Sequence, residues 1–505
     1  MRAYRRAADL IRATPADVPA LVRAGRVREL RGIGGSIEAR LRELVDTGTL
    51  AELDELERET DPELVGIGRY LGLSPNRAVE IGRALGVRTV EELREAAAAG
   101  RLTEVPGIGP STEQRLRERL AREPTSEAPR LLLGRARLLM ESLAAALGAT
   151  VAGDVRRWSD HPQDLALVAT DPAALVRFGD LLEIVAVVER DERSALGVTV
   201  EGVGVRLVIT PEVAFGTELL RATGAEPYVA ALGTLPAAAR EEEVYAELGI
   251  PYCPPELREE PFRGEPPPLV EVGEIRGDLH CHTTRSDGRA SVYEMGLAAR
   301  ERGYEYLAIC DHTKNVRVVP GLAADDVRAQ ADEIAEANER LAPFRVLRGI
   351  ECDILPDGSL DLPDDVLSEL DWVQASLHAG QRRPREELTK QVLEAMRNPY
   401  VRGLSHPTGR YIGRRPENAL DIEQAIAASI ETGVALEVNG LPDRLDLKGE
   451  YVRLAVAAGA RIVLNTDAHS IQGLGNMELA VHTARRGWAT AADVVNTRPL
   501  SELLG

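Results

Sequence analysis

The second half of the chain alternates seven short apolar runs with helical stretches, and this alternation constrains the fold more than any other feature of the sequence. The runs lie at 276–282, 305–311, 344–351, 372–377, 400–405, 433–439 and 461–467. Regular alternation of strand and helix predicts a parallel sheet, most simply one closed into a barrel. Functional residues of such barrels lie at the carboxyl ends of the strands. Residues that end each run are therefore candidate site residues.

Residues that bind metal ions recur at these run ends. They are His280, His282, Asp287, His312, Glu351, His378, His406, Asp467 and His469. The sixth run contributes none of these nine residues and no histidine, and it offers Glu437 and Asn439 instead. Unrelated core and surface histidines would scatter along the chain, so the regular placement favours a metal site. His161 and His482 lie outside the pattern and are interpreted as structural.

Imidazole and carboxylate together suit Zn²⁺, Mn²⁺ or Fe²⁺. Nine ligands exceed the need of one ion, which takes roughly three to five, so the sequence predicts two or three ions. Clustered divalent ions hydrolyse phosphoesters well, because they lower the pKa of a bound water to about 7 and neutralise charge on phosphate oxygens. A metal-dependent phosphoesterase is the activity that this pattern favours.

The first 130 residues contain three segments in which Gly-Ile-Gly precedes a helix. They lie at 30–44, 64–87 and 105–120. This helix-hairpin-helix pattern lets backbone N–H groups at a helix start face a DNA phosphate, which grips DNA without reading its sequence. The candidate DNA-binding residues are Gly32, Gly34, Gly107 and Gly109. Turns that only pack a helical bundle are the alternative, above all for the middle copy with its longer insert.

Charge is distributed in a way that admits DNA as a partner. The whole chain carries −20, but residues 1–130 hold 22 arginines and 22 acidic residues, so their net charge is zero. The sequence shows no apolar run of 18 residues and no signal peptide. The four cysteines form no Cys-x-x-Cys pair and are interpreted as reduced thiols. We expect a cytoplasmic monomer that does not associate with membranes.

Composition divides the chain into four parts. Residues 1–130 form the helical DNA-binding region, and 131–250 carry a mixed α/β pattern. Seven prolines between 251 and 268 predict a linker over 251–275. Residues 276–505 hold the repeated strand–helix pattern and every candidate metal ligand.

The motifs together resemble a known family. HxH at 280–282, SDG at 286–288, DH at 311–312, SLH at 376–378, HPTGR at 406–410 and DAHS at 467–470 resemble a PHP (polymerase and histidinol phosphatase) domain. With the helix-hairpin-helix segments and GDVRR at 153–157, nearly the whole chain is similar to bacterial family X DNA polymerases. The resemblance implies an all-α N-terminal region, an α/β nucleotidyltransferase-like palm and a C-terminal (β/α)7 barrel.

The resemblance also implies a trinuclear site, usually of Mn²⁺ or Zn²⁺. One ion would be held by His280, His282, Glu351 and Asp467. Glu351 would bridge to a second ion on His378 and His406, and Asp287, His312 and His469 would hold the third. Arg285, Lys314 and Arg410 are candidates to bind substrate phosphate, with ordinary surface charge as the alternative.

The palm departs from the family pattern. Family X polymerases hold two Mg²⁺ with three aspartates, two as Asp-x-Asp on one strand and the third on its neighbour. The aligned positions here are Asp164, Ala166 and Arg206. Arginine stays charged at any working pH, so a cation stands where a cation ligand belongs. We expect no polymerase activity, unless the alignment is wrong and Asp154 or Asp160 supplies the lost ligands.

The sequence thus predicts a DNA repair nuclease or phosphoesterase. It would act on gapped or nicked DNA as a 3′–5′ exonuclease, or on 3′-phosphate or abasic ends. Three alternatives stay open: a small-molecule phosphatase of the histidinol-phosphatase type, an active family X polymerase, and a scaffold that recruits repair partners.

Overall fold

A computed structural model describes residues 18–29, 33–50, 73, 75–87, 90–109, 112–114, 116–117, 131–199, 201–316 and 319–504. The chain divides into two compact units. The first comprises 1–129 with 182–188 and 197–204, and the second comprises 130–181, 189–196 and 205–505. None of the described helices is long and apolar enough to cross a membrane.

Short amphipathic helices form the described N-terminal part of the first unit. They are α1 (Val18–Arg23), α2 (Gly35–Thr47), α3 (Pro75–Leu85) and α4 (Val90–Ala98). Helix α2 begins directly after Gly34, as the first Gly-Ile-Gly segment predicts, and Ile33 and Ile37 bury their side chains against α1. In the third segment Gly107 has a φ of +81°, which favours glycine, and Gly109 follows it in the described part. Gly32 lies outside the described residues.

The middle region contains a mixed sheet with short helices. Its helices are α5 (Leu133–Leu147), α6 (Gly153–Arg156), α7 (Ala174–Gly179), α8 (Phe215–Thr223), α9 (Glu226–Leu232) and α10 (Glu241–Glu247). Its strands are β1 (Thr150–Ala152), β2 (Leu165–Ala169), β3 (Ile184–Arg190), β4 (Ser194–Thr199) and β5 (Gly204–Ile209), in the order β1–β2–β5–β4–β3. Strand β1 runs antiparallel to β2, and β2 runs parallel to β5.

Seven parallel strands form the C-terminal part, one for each predicted run. They are β6 (Gly277–Cys281), β7 (Tyr306–Ile309), β8 (Arg345–Asp353), β9 (Trp372–Ser376), β10 (Val401–Leu404), β11 (Ala435–Asn439) and β12 (Ile462–Asn465). Each strand pairs with the next along the chain. The strands are buried on both faces, as their apolar sequences require. The prediction of a seven-stranded parallel barrel is confirmed.

Helices between the strands cover the outside of the barrel. They are α11 (Val292–Glu301), α12 (Ala324–Leu341), α13 (Asp364–Leu367), α14 (Arg385–Met396), α15 (Ile422–Thr432), α16 (Gly449–Ala458), α17 (Met477–Arg486) and α18 (Leu500–Leu503). Ser291 caps α11 by accepting a hydrogen bond from the backbone N–H of Glu294, and Asp421 caps α15 in the same way. Helices α11 to α16 each return the chain to the amino end of the next strand, which keeps all carboxyl ends at one rim.

A side chain completes the barrel where β6 meets β12. Asn496 donates hydrogen bonds to the carbonyls of Gly277 (2.8 Å) and Leu464 (2.6 Å) and accepts one from the Leu464 N–H. At the rim a parallel bridge joins Cys281 to Ala468. The barrel is therefore nearly closed, and the first and last ligand-bearing strands lie side by side.

The proline-rich stretch between the middle region and the barrel is packed around Glu256 and Arg258, while residues 260, 261 and 263–265 are exposed. Glu256 is 4% exposed and accepts hydrogen bonds from His482 Nδ1 (2.8 Å) and Arg485 Nε (2.7 Å) on α17. Arg258 is fully buried on Glu241. These ion pairs need partners far away in the chain, so proline content alone predicts a linker and misses the packing.

Candidate metal centre

The barrel rim brings all nine predicted ligands into one region. Three groups place their ligand atoms within 4.8 Å of one another: His280, His282 and Asp467; His312, Glu351 and His378; and His282, Asp287, His312 and His469. His406 adjoins the second group, with Nε2 3.0 Å from Glu351 Oε1. The sets implied by the family assign His282 and His312 to one ion each, whereas here each of them belongs to two groups.

Several buried atoms in this cluster are left without a hydrogen bond, and their arrangement fits bound cations. His282 Nδ1, His312 Nδ1 and Glu351 Oε2 are buried and have no hydrogen-bond partner among the described residues. His312 Nδ1 lies 2.7 Å from Glu351 Oε2 without hydrogen-bond geometry. Leaving such groups unsatisfied is costly. A divalent cation shared between them would remove that cost, so the residues present fit metal ions.

Three histidines are oriented through their Nδ1 atoms. His280 donates to Glu437 Oε1 (2.7 Å). His378 donates to Asp353 Oδ1 (2.9 Å), and His469 donates to the carbonyl of Asp467 (2.8 Å). A proton held at Nδ1 leaves Nε2, which faces the cluster, as the ring atom that could bind a metal ion. Such outer partners fix the tautomer and the ring position that a metal ligand requires.

The loop that carries Asp287 is anchored by a buried aspartate. Asp311 accepts hydrogen bonds from Thr283 N (2.7 Å), Thr283 Oγ1 (2.6 Å) and Gln330 Nε2 (2.6 Å). Asp287 itself is half-buried, with Oδ2 3.3 Å from His469 Nε2. The third group is therefore the more accessible side of the cluster.

Electrostatics inside the cluster keep its carboxylates ionised. Burial alone would raise the pKa of Glu351, but His378, His312 and His280 hold it well below its usual range. Asp467 shows the same balance, with burial outweighed by His280 and His282. Burial, together with His469 and His312, lowers the pKa of His282 to about 4, so its imidazole is neutral near pH 7. Ionised carboxylates and a neutral imidazole are the forms that bind metal.

Glu437 was not among the predicted ligands, and the structure makes it a positioning residue. Its Oε1 holds His280, and its Oε2 accepts the backbone N–H of His406 (2.7 Å). We expect Glu437→Gln to weaken metal affinity about 10- to 100-fold, because His280 would lose its orienting acceptor. Titration against a fluorescent chelator measures this affinity. Glu431→Gln, an exposed change just before the same strand, should leave affinity at the wild-type value; equal affinities for both variants would refute the assignment.

The three cations predicted to bind phosphate are all paired with protein groups. Arg410 is 6% exposed; its Nη1 lies 2.7 Å from Asp160 Oδ2, and its other nitrogens donate to the carbonyls of Arg444 and Leu445. Arg285 pairs with Glu333, and Lys314 pairs with Asp326 at 3.3 Å on the surface. The guanidinium of Arg410 thus holds the rim loop to the middle region.

Arg444 is a candidate that the sequence did not reveal. It is 7% exposed, and its Nε lies 3.8 Å from Asp467 Oδ2. Nε and Nη1 have no hydrogen-bond partner among the described residues, while Nη2 donates to the Tyr411 hydroxyl (2.7 Å). Only the folded chain places this arginine against the cluster, because it follows β11 by five residues within a polar loop.

The three aligned palm positions lie on or next to two neighbouring strands of the middle sheet. Ala166 on β2 is the direct parallel neighbour of Arg206 on β5, and Asp164 precedes β2. Asp154 is buried, pairs with Arg157 and accepts the backbone N–H groups of residues 163 (2.6 Å) and 164 (2.9 Å). Asp160, the other possible substitute ligand, is the partner of Arg410.

Comparison with known proteins identifies the family. A PHP domain model matches residues 278–440, and a SAM-like helix-hairpin-helix tandem model matches 71–122. The DNA polymerase/3'-5' exonuclease PolX of Bacillus subtilis (strain 168) is 34% identical over 541 aligned positions, which cover 99% of this chain and 94% of the relative. The chain belongs to the bacterial family X DNA polymerases with a PHP domain.

Other relatives match only the barrel part of this family X chain. A probable phosphatase of Acetivibrio thermocellus is 33% identical over 38% of the chain and 78% of its own length. A probable phosphatase of Thermoanaerobacter sp. (strain X514) is 29% identical over 44% of the chain and 89% of its own length. These phosphatase relatives match less than half of the chain, whereas the PolX relative matches nearly all of it.

Proposed function

We propose that the chain is a metal-dependent phosphoesterase that processes DNA 3′ ends, chiefly as a 3′–5′ exonuclease. The observation that carries the proposal is the convergence of nine ligand side chains, with unpartnered buried nitrogen and carboxylate atoms, at one barrel rim. Kinship over 99% of the chain with a polymerase/3'-5' exonuclease supports this substrate class. DNA ends with a 3′-phosphate or an abasic residue belong to the same proposal.

The three ligand groups would each hold a divalent ion, Mn²⁺ or Zn²⁺, and His282 and His312 each belong to two of the groups. Such ions supply an activated water and charge neutralisation at the phosphate. The protein contributes the anionic carboxylates Glu351 and Asp467, which stay ionised in a buried setting. Glu437 and Asp353 keep protons at Nδ1 of their histidines, so that each Nε2 stays available.

We further propose that the middle region does not catalyse nucleotidyl transfer. Support comes from the register that sets Ala166 beside Arg206, two positions where aspartates would hold Mg²⁺. Asp154 and Asp160 are already engaged by Arg157 and Arg410, which disfavours them as substitute ligands. In this proposal the parts 1–130 and 131–250 position DNA, 251–275 connects them to the barrel, and 276–505 cuts it. We also propose that the protein is a cytoplasmic monomer.

A small-molecule phosphatase is the second candidate, because the phosphatase relatives share the barrel. The helix-hairpin-helix match at 71–122 favours DNA instead. The purified full chain should first be analysed for bound metals. It should then be incubated with 5′-labelled single-stranded, gapped and nicked DNA carrying 3′-hydroxyl, 3′-phosphate or abasic ends, and separately with histidinol phosphate.

We expect metal-dependent shortening of DNA from the 3′ end, abolished by EDTA and restored by Mn²⁺. Release of phosphate from histidinol phosphate, with every DNA end left intact, would replace the nuclease by the phosphatase. DNA shortening that persists in EDTA would remove the metal centre from the mechanism.

A further inference from the structure

A basic cleft opens along the segment that follows the candidate metal ligand His406. It has a volume of about 600 Å³, and the segment 410–417 forms most of its wall. The side chains that matter here are His161, Tyr411, Arg414, Arg415, Glu417 and Lys448. With Arg410 the wall holds four cations and one carboxylate, although the chain as a whole carries −20. Because cations line most of the cleft, we expect it to bind an anionic ligand.

Two of these cations retain unused capacity for phosphate. Arg414 has a side chain 77% exposed, and the nearest carboxylate oxygen, on Asp443, lies 3.9 Å away. Arg415 donates to the carbonyl of Gly409 and forms no ion pair with a carboxylate of the described residues. Lys448, in contrast, lies 2.8 Å from Glu417. The binding capacity is therefore concentrated at the two adjacent arginines.

Tyr411 connects this cleft to the metal ligands. The guanidinium of Arg415 lies 4.6 Å from the Tyr411 ring centroid, and that of Arg444 lies 4.3 Å from it. Arg444 then reaches Asp467, a member of the first ligand group. Its unpartnered Nε and Nη1 are buried donors that an anion would satisfy. Arg415 of the cleft and Arg444 beside the cluster are thus connected through the Tyr411 ring.

We propose that this cleft binds the sugar-phosphate backbone of a single DNA strand, and that Arg444 contacts the phosphate at the metal centre. The inference rests on the proposed function and names the path of its substrate. Nucleotides upstream of the 3′ end would lie along Arg415 and Arg414.

Arg414→Glu in the Mn²⁺-loaded full chain tests the cleft. Two substrates are compared: a single-stranded 20-mer with a 3′-hydroxyl, and thymidine 5′-(p-nitrophenyl phosphate), a diester too short to reach the cleft. We expect the KM for the 20-mer to rise about tenfold, and to rise at least about fivefold more than the KM for the diester. By fluorescence anisotropy, 20-mer affinity should fall similarly, and the slope of log affinity against log salt should shrink by about 0.7.

Arg397→Glu is the matched control. This arginine is also exposed (58%) and pairs with one carboxylate, but it precedes β10 at the amino end of the barrel. Its variant should match wild type on both substrates. An equal loss for Arg397→Glu and Arg414→Glu, an equal KM change on both substrates for Arg414→Glu, or no change at all would overturn the cleft. If wild type cuts neither substrate but Arg414→Glu alone weakens 20-mer binding, the cleft stands and the proposed function fails.

Arg444 is tested with inorganic phosphate as the probe. Arg444→Gln should raise the inhibition constant of phosphate about 10- to 100-fold, the loss expected for a charge-assisted hydrogen bond. Arg444→Lys should restore part of it. Metal content, measured on the same samples, should equal that of the wild type. An unchanged inhibition constant, or a loss explained by missing metal, would remove Arg444 from the substrate site.

Discussion

Glu351→Gln is expected to lower hydrolysis of a DNA 3′ end by about a thousandfold or more. Glu351 faces five imidazoles. Its Oε1 lies 3.0 Å from His406 Nε2 and 3.4 Å from His378 Nε2. Its Oε2 lies 2.7 Å from His312 Nδ1, 3.6 Å from His280 Nε2 and 3.8 Å from His282 Nε2. Glutamine keeps the volume but removes the charge that neighbouring cations would share. Losing about 4 kcal/mol of metal-derived stabilisation corresponds to that rate change.

Single-turnover shortening of a labelled oligonucleotide measures the effect, and metal analysis shows whether ions are lost with it. Glu336→Gln provides the control, because Glu336 is exposed on α12 and 3.7 Å from Arg340. That control should shorten DNA at the wild-type rate. Full activity in Glu351→Gln would show that the cluster is not the catalytic centre, whatever metals it binds.

Primer extension is expected to be absent, at least about four orders of magnitude below a family X polymerase that retains all three aspartates. The two Mg²⁺ of nucleotidyl transfer need carboxylates to hold them, and Arg206 beside Ala166 places a permanent positive charge there instead. The Glu351→Gln background removes trimming of the primer, so that any added nucleotide stays visible. Both Mg²⁺ and Mn²⁺ should be supplied, with all four deoxynucleoside triphosphates.

Template-directed addition that disappears on Asp164→Ala would reverse this expectation. It would show that Asp164 still holds a catalytic ion and that another group replaces the lost ligands. Addition that survives Asp164→Ala would indicate a contaminating polymerase. A second variant, Asp154→Ala, should then show the same addition.

Local patterns predicted the barrel because each of its strands is a short apolar run that can be recognised from the sequence alone. Each apolar run became a strand within a few residues of its predicted limits, as for β9 at Trp372–Ser376. The nine ligands could be gathered for a geometric reason: carboxyl ends of parallel strands meet at one rim. Neither step needs knowledge of which distant residues touch.

Contacts between distant residues were beyond the sequence. Arg410 was predicted to bind substrate because it follows a ligand motif, but Asp160, 250 positions earlier, occupies its guanidinium. Arg444 belongs to no recognised motif, and only its burial beside Asp467 identifies it as a candidate site residue. The proline-rich segment was predicted as a linker from its proline content. Its packing could not be predicted, because the partners of Glu256 on α17 lie more than 200 residues away.

The contact of Trp158 and Asp160 with the barrel limits how far the middle region can change. Trp158 stacks on His482 with ring centroids 3.5 Å apart, and Asp160 neutralises the buried Arg410. Neither contact involves the aligned positions Asp164, Ala166 and Arg206, so changes there leave both contacts intact, whereas losing either contact would expose a buried ring or leave a buried charge unpaired. Selection on the barrel would then preserve this short stretch of the middle region whatever its own activity, and a barrel expressed without it would have to be redesigned at His482 and Arg410 to stay soluble.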